Sequence, residues 1–196
     1  MPKIDAPTVA EHRAQVSARL VDAAEEMLRR DPGGPLSAKK VSAAAGIARN
    51  SIYRYVDSVD DLRGMVVGRH LPNWMAAVDE AVAAAVDPRE RIVTWVRANL
   101  DEAASTGHGW LMLAAGAASG AAMDASMERA HAGMRDQLGA DWEAVLGDGQ
   151  EGRVRTAVAL TVGILDAGFR ELDAGQPAGQ VRGMVDTAAN ALVTAF

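Results

Sequence analysis

Residues 32–56, PGGPLSAKKVSAAAGIARNSIYRYV, place a Pro/Gly breaker, a run of helix formers, a glycine and a second short run with two tyrosines in one continuous stretch. Pro32 to Pro35 stop any preceding helix, Ser37 can cap a new one, and Gly46 tolerates a left-handed backbone that a Cβ disfavours. The stretch therefore predicts a helix, a tight turn and a second helix. It also carries four basic side chains and no Asp or Glu, in a chain whose 26 acids outnumber its 20 Lys plus Arg. Charge and shape agree on a helix-turn-helix that meets a polyanion. Residues 103–123 are equally free of acid but hold no Lys or Arg, so concentrated base, rather than missing acid, is the signal.

The rest of the chain reads as helical. No run alternates as a half-buried strand does, while Ala, Leu, Met, Arg and Glu recur at three- and four-residue spacings. A first helix is expected over 8–30 on Val16, Leu20, Ala23 and Met27. After the short pair, Ser58 with Asp61 has capping-box spacing and opens a helix with Leu62, Met65 and Val66 on its apolar side. Pro72 predicts a kink or boundary there. Asp87-Pro88-Arg89-Glu90 is a further start, followed by an apolar stripe of Ile92, Val93, Trp95, Val96 and Leu100. Helices over 108–119, 123–145, 151–173 and 178–196 complete an all-α chain. The expected division is a helix-turn-helix domain over 1–57, a connecting helix over 58–72 and a helical body over 73–196.

Charge follows that division. Residues 1–70 hold 11 Lys/Arg and 9 Asp/Glu, residues 71–196 hold 9 and 17, so a basic-leaning head precedes an acidic body. The start of the chain has early charges and no apolar run, unlike a secretory signal, so the expected location is the cytoplasm. Residues 103–123 are long enough to span a bilayer but are interrupted by Gly, Ser, Thr and His, so no membrane partner is expected. Cysteine is absent, which excludes disulfides and thiolate chemistry. His12, His70, His108 and His131 are scattered, and no nucleophile elbow accompanies Ser105 and His108, so no metal, cofactor or catalytic set is expected.

Placed at about 100° per residue, Ala48, Ile52, Tyr55 and Val56 share one side of the second short helix. Arg49, Asn50, Tyr53 and Arg54 share the other. The first set would dock and the second would face the major groove, where Arg pairs with guanine edges and Asn with adenine edges. Lys39 and Lys40 would lie against the backbone, with tyrosine hydroxyls on phosphates.

These same residues resemble the DNA-binding signature of the tetracycline-repressor-like (TetR) regulators. The resemblance is carried by Leu36-Ser37-x-x-x-Val41-x-x-x-Ala45-Gly46-Ile47, Ile52-Tyr53-Arg54-Tyr55-Val56 and Ser58-x-Asp60-x-Leu62, and covers about residues 10–65. It implies an all-α homodimer whose three-helix head binds a palindromic double-stranded DNA operator and whose body binds a small molecule that releases DNA. It further implies base or backbone contacts for Lys39, Arg49, Asn50, Ser51 and Arg54, and phosphate contacts for Ser37, Tyr53 and Tyr55. Two positions depart from the family pattern: Val59 replaces a phosphate-binding lysine, and Ala48 replaces the serine that caps the recognition helix.

In the acidic body, Trp74, Trp95, His108, Trp110, Met112, Met127, Asp166 and Phe169 are candidate lining for an apolar effector of unstated identity. Val158, Thr161, Ile164, Leu165, Phe169, Val181, Met184, Val185, Ala188 and Leu192 mark two stripes expected to pair with a second copy. The functional expectation is a ligand-responsive transcriptional regulator, a repressor, with no enzymatic activity. Its rival is a helical ligand-binding or enzymatic protein whose head no longer binds DNA, for which Ala48 and Val59 speak.

Overall fold

A computed structural model of the protein describes residues 8–118 and 121–196, with the side chains of 121–132 excepted. The described chain is helical: α1 (Val9–Arg30), α2 (Ala38–Ala44), a 3₁₀ helix η1 (Arg49–Arg54), α3 (Asp61–Ala84), α4 (Pro88–Thr106), α5 (His108–Gly116), α6 (Ala121–Leu146), α7 (Glu151–Asp173) and α8 (Ala178–Thr194). Packing divides it into two units, Met1–His70 with Trp110–Gly120, and Leu71–Gly109 with Ala121–Phe196.

Local chemistry accounts for the element boundaries. Thr8 and Glu11 form a reciprocal capping box at the start of α1, and the hydroxyl of Ser37 accepts from Lys40 N at the start of α2. Gly46 sits at φ 71° in the turn after α2, and Ser58 and Asp61 exchange hydrogen bonds of 2.7–3.2 Å as α3 begins. Asp87 accepts from Arg89 N and Glu90 N with Pro88 as the first residue of α4. Gly107, at φ 86°, separates α4 from α5.

Three sequence expectations change. The second short helix is a 3₁₀ helix rather than an α-helix, and its N-cap Ala48 makes no side-chain hydrogen bond. Lacking a capping oxygen, its first amides are left to the tighter i→i+3 pattern, as in Ser51 N to Ala48 O at 2.9 Å. Ala48, expected to dock, is exposed, as is Met65. Of the two outcomes expected at Pro72, a boundary is the one that does not occur: α3 continues through it to Ala84. Pro72 and Gly68, whose carbonyl loses its usual donor, are both exposed, so water can reach the freed group.

The first unit buries Val16, Leu20, Leu28, Val41, Ile52, Leu62 and Val66 in one cluster, and Ala114 of α5 belongs to it. α1 also holds the turn directly, through Arg19 Nε donating to Ala45 O at 3.0 Å. Arg63 is buried and donates to the carbonyls of Pro32 and Gly34, fastening the Pro/Gly loop to α3. The second unit is built on α4, which packs against α6, α7 and α8. Trp74, Ile92, Trp95, Val96, Leu100, Leu138, Trp142 and Leu165 are buried in its core. Polar groups inside it are satisfied: Trp142 Nε1 donates to Thr161 Oγ1 at 3.0 Å, and Thr161 Oγ1 donates to Ala157 O. Arg91 Nε lies 2.8 Å from Asp141 Oδ1 without hydrogen-bond alignment, an ion pair.

Candidate functional site

In the first unit, α2 and η1 present the basic window. Lys39, Lys40, Arg49, Asn50 and Arg54 are exposed, and Tyr53 is 53% exposed. Ile52 and Val56 are buried behind them, so the docked and presented sides separate as the pattern predicted at these positions. Ser37, Ser51 and Tyr55 are half-buried. The Ser37 hydroxyl is engaged as the cap of α2, and Tyr55 packs against the core of the unit while ending η1. A 3₁₀ helix rises about 2.0 Å per residue against 1.5 Å for an α-helix. The polar side chains of η1 are therefore spread over a longer span than a six-residue α-helix would allow.

Four other cations of this unit are paired with its own acids. Arg29 pairs with Glu25 at 2.8 Å, Arg30 with Glu26 at 2.5 Å, Arg63 with Asp60 at 3.3 Å, and Arg69 with Asp22 at 2.7 Å and Glu25 at 3.2 Å. His70 Nε2 stands 3.0 Å from Glu25 Oε1, out of line for a hydrogen bond. Trp110 completes the cluster, with the Arg29 guanidinium 4.3 Å from its ring centroid and His70 edge-on at 5.6 Å. Burial raises the Glu25 carboxyl, but the hydrogen bond and charge of Arg29, with His70 beside it, outweigh burial and hold it below its ordinary range. Hydrogen bonds from the Ser58 hydroxyl and amide lower Asp61 in the same sense, and the Thr8 amide and hydroxyl lower Glu11.

The second unit gathers part of the expected effector set. His108 stacks on Phe169 with centroids 4.1 Å apart and planes at 17°, and Trp74 lies 6.2 Å from Phe169 and 6.3 Å from His108. Two polar residues that spacing did not reveal join them. Asn99 is buried, accepts from Trp74 Nε1 at 2.9 Å and donates to Trp95 O at 2.8 Å. Asp173 lies 3.0 Å from His108 Nδ1. A polar residue four positions after Trp95 on an otherwise apolar stripe was the available signal for Asn99; Asp173 left none. Trp95 is in the core of this unit. Trp110 and Met112 instead belong to the first unit, because α5 passes from one to the other after Gly109. Asp166 is exposed on α7 and joins no aromatic cluster, and the Met127 side chain lies outside the described residues.

The two stripes expected to meet a second copy divide by row. Thr161, Leu165, Val181 and Val185 are buried within the unit itself. Phe169 turns onto His108, and Val158 and Leu192 pack against the same core. Thr161, Leu165, Val181 and Val185 are internal packing, since α4 lies against α7 and α8 and takes up one row of each stripe. The other row stays open. Ile164, Ala167, Met184 and Ala188 line a groove of about 520 Å³ between α7 and α8. Met184 is 67% exposed, and Leu160, outside the expected stripes, is 47% exposed one turn from Ile164.

Among the described residues no group of His, Asp and Glu could hold a metal ion, and no helix is long and apolar enough to cross a membrane. No model of a known protein family matches the chain. It is 32% identical over 90 residues to an uncharacterized HTH-type transcriptional regulator of Mycobacterium tuberculosis, a match covering 45% of this chain and 44% of that protein. The chain thus spans less than half the length of the curated relatives it matches. Solved structures match far more of it. A TetR-like regulator of Rhodococcus sp. RHA1 superposes with a TM-score of 0.65 at 17% identity, over 94% of this chain and 96% of that one. PfmR, a TetR family regulator of Thermus thermophilus, does so at 0.67 and 15%, over 87% and 96%. FadR of Bacillus subtilis, in complex with stearoyl-CoA, does so at 0.64 and 14%, over 93% and 98%. The helical chain, with its short basic pair ahead of a larger helical body, has the fold of the TetR-like transcriptional regulators.

Proposed function

We propose that the protein is a sequence-specific DNA-binding transcriptional regulator, a repressor that leaves its operator when a small apolar effector binds. The observation that carries this is the set of exposed Lys39, Lys40, Arg49, Asn50 and Arg54 on a helix, glycine turn and helix in an otherwise acidic chain. Arg49, Asn50 and Arg54 read base edges, and Lys39, Lys40 and Tyr53 hold phosphates and set register. Tyr55 and Ser37 support the reader more than they touch DNA, since one is packed on the core and the other caps α2.

The effector binds in the second unit at the aromatic cluster of Trp74, His108 and Phe169, with Asn99 and Asp173 as its polar groups. Support comes from the convergence of these side chains and from FadR, a protein of this fold that holds stearoyl-CoA. To release DNA, the ligand must favour the arrangement that binds DNA poorly. α5 offers a route, because His108 sits in the cluster while Trp110, two positions on, packs against Arg29 and His70 of the reader unit. The protein acts as a homodimer through the open row of α7 and α8, which places two readers on a palindrome.

Capture of genomic fragments by purified protein, followed by titration of the recovered duplex at several salt concentrations, tests the function. Salt-dependent binding that discriminates the recovered site from random duplex supports it. Equal, weak binding to both would leave the head without a reading role.

A further inference from the structure

The cations of the first unit fall into two groups. Arg29, Arg30, Arg63 and Arg69 are each within 4 Å of a carboxylate of the same unit. Among the described residues, Lys39, Lys40, Arg49 and Arg54 have no such partner. Neither do Arg19, whose Nε is engaged by the Ala45 carbonyl, and Arg13, which lies far from them in sequence on the first half of α1. A cation already paired with a carboxylate has little charge to offer a phosphate, whereas an uncompensated one gains a full counterion-release term when it meets one. Arg13 is exposed, and its position is set: its Cζ lies 5.5 Å from the centroid of the Tyr55 ring, the residue that ends η1. Tyr55 is in turn held against the core of the unit. A cation–π contact of this kind restrains a long, otherwise free side chain beside the end of the reader helix. Glu11, two positions before Arg13, is engaged with the Thr8 amide.

We propose that Arg13 is a DNA-backbone contact, held by Tyr55 beside the end of η1, so that the phosphate-binding surface extends from α2 and η1 onto α1. The proposal rests on the DNA-binding function argued above. Arg13 is a phosphate contact and not a base reader, because it stands on α1 outside the helix that enters the groove. It supplies backbone affinity that the valine at position 59 cannot.

The experiment is a salt titration of duplex binding by the full chain and by Arg13→Gln, Arg13→Lys and Arg30→Gln. The Gln variant at position 13 should lower the slope of log K against log salt by about 0.9 per bound chain. It should also weaken cognate and random duplex by the same factor and leave helix content unchanged. The Lys variant should restore the slope, and removing the paired Arg30 should leave it as in the unmodified protein. An unmodified slope for Arg13→Gln in a protein that binds DNA overturns the assignment of Arg13 alone. So does an equal fall for Arg30→Gln. Absence of salt-dependent binding by the unmodified chain overturns the DNA-binding function, and the Arg13 contact with it.

Discussion

Within the proposed reader, neighbouring side chains are assigned different jobs, and substitution separates them. Arg49→Ala or Arg54→Ala should each cost about 1–3 kcal/mol at the cognate site and relax preference at particular base pairs. Measured dissociation constants on a panel of single-base operator variants check this; uniform loss across the panel would make them phosphate contacts instead. Ala48 offers a gain rather than a loss. Its side chain leaves the first amides of η1 uncapped, and Ala48→Ser should restore a cap worth about 1 kcal/mol. Urea unfolding of the reader transition is the measurement, and an unchanged midpoint would show that the 3₁₀ geometry leaves no amide for the hydroxyl to accept from. Residue-level features of this kind were legible where the partner is close in the chain. Ser58 with Asp61, Asp87 with the amides after Pro88, and the left-handed Gly46 all act within a few positions. Asn99 and Asp173 were not, because their partners lie 25 and 65 positions away, at Trp74 and His108. Spacing along one helix does not encode which other helix it meets.

Among the elements, α7 shows how far periodicity reaches and where it stops. Its stripe was visible as adjacent pairs such as Ile164 with Leu165 and Gly168 with Phe169, but the pattern alone did not say which member faces its own unit. The structure decides through close approach at Gly168. A Cβ there would lie 2.8 Å from Leu100 Cδ1 of α4 and 3.0 Å from Val185 Cγ2 of α8. Both neighbours are buried, and Leu100 stands in the core of the unit. Gly168→Ala should therefore lose about 1–3 kcal/mol by overpacking, despite the better helix propensity of alanine. Chemical denaturation reads this directly, and a stabilised variant would mean that α7 can slide on α4. The same orientation explains why Ile164, but not Leu165, belongs to the open row. η1 is the converse case. Its place was legible from Gly46 and the tyrosines, but its 3₁₀ winding was not, since a missing cap changes the hydrogen-bond pattern without changing the apolar spacing.

For the molecule as a whole, the proposed homodimer turns on the open row of α7 and α8. Leu160, Ile164 and Met184 present apolar surface around the groove between the two helices. Leu160→Glu with Met184→Glu should give soluble monomers of unchanged helix content and much weaker operator binding, as judged by sedimentation and duplex titration. Detection of the unmodified protein as a monomer at micromolar concentration would remove the basis for that outcome. Substituting Leu165, by contrast, would damage the core of a single chain and say nothing about association.

The passage of α5 from one unit to the other limits how this protein can be cut and recombined. A fragment ending near residue 72 looks by sequence like a detachable reader, yet it would lack Ala114, which is fully buried in the reader core, and Trp110, which packs against Arg29 and His70. Such a fragment should melt well below the reader within the full chain, and adding residues 108–118 back as a separate peptide should raise its melting temperature. Spliced hybrids face the same constraint. A borrowed sensor body brings its own version of α5, so a functional graft has to exchange that helix together with the head it supports, or the seam will run through a hydrophobic core.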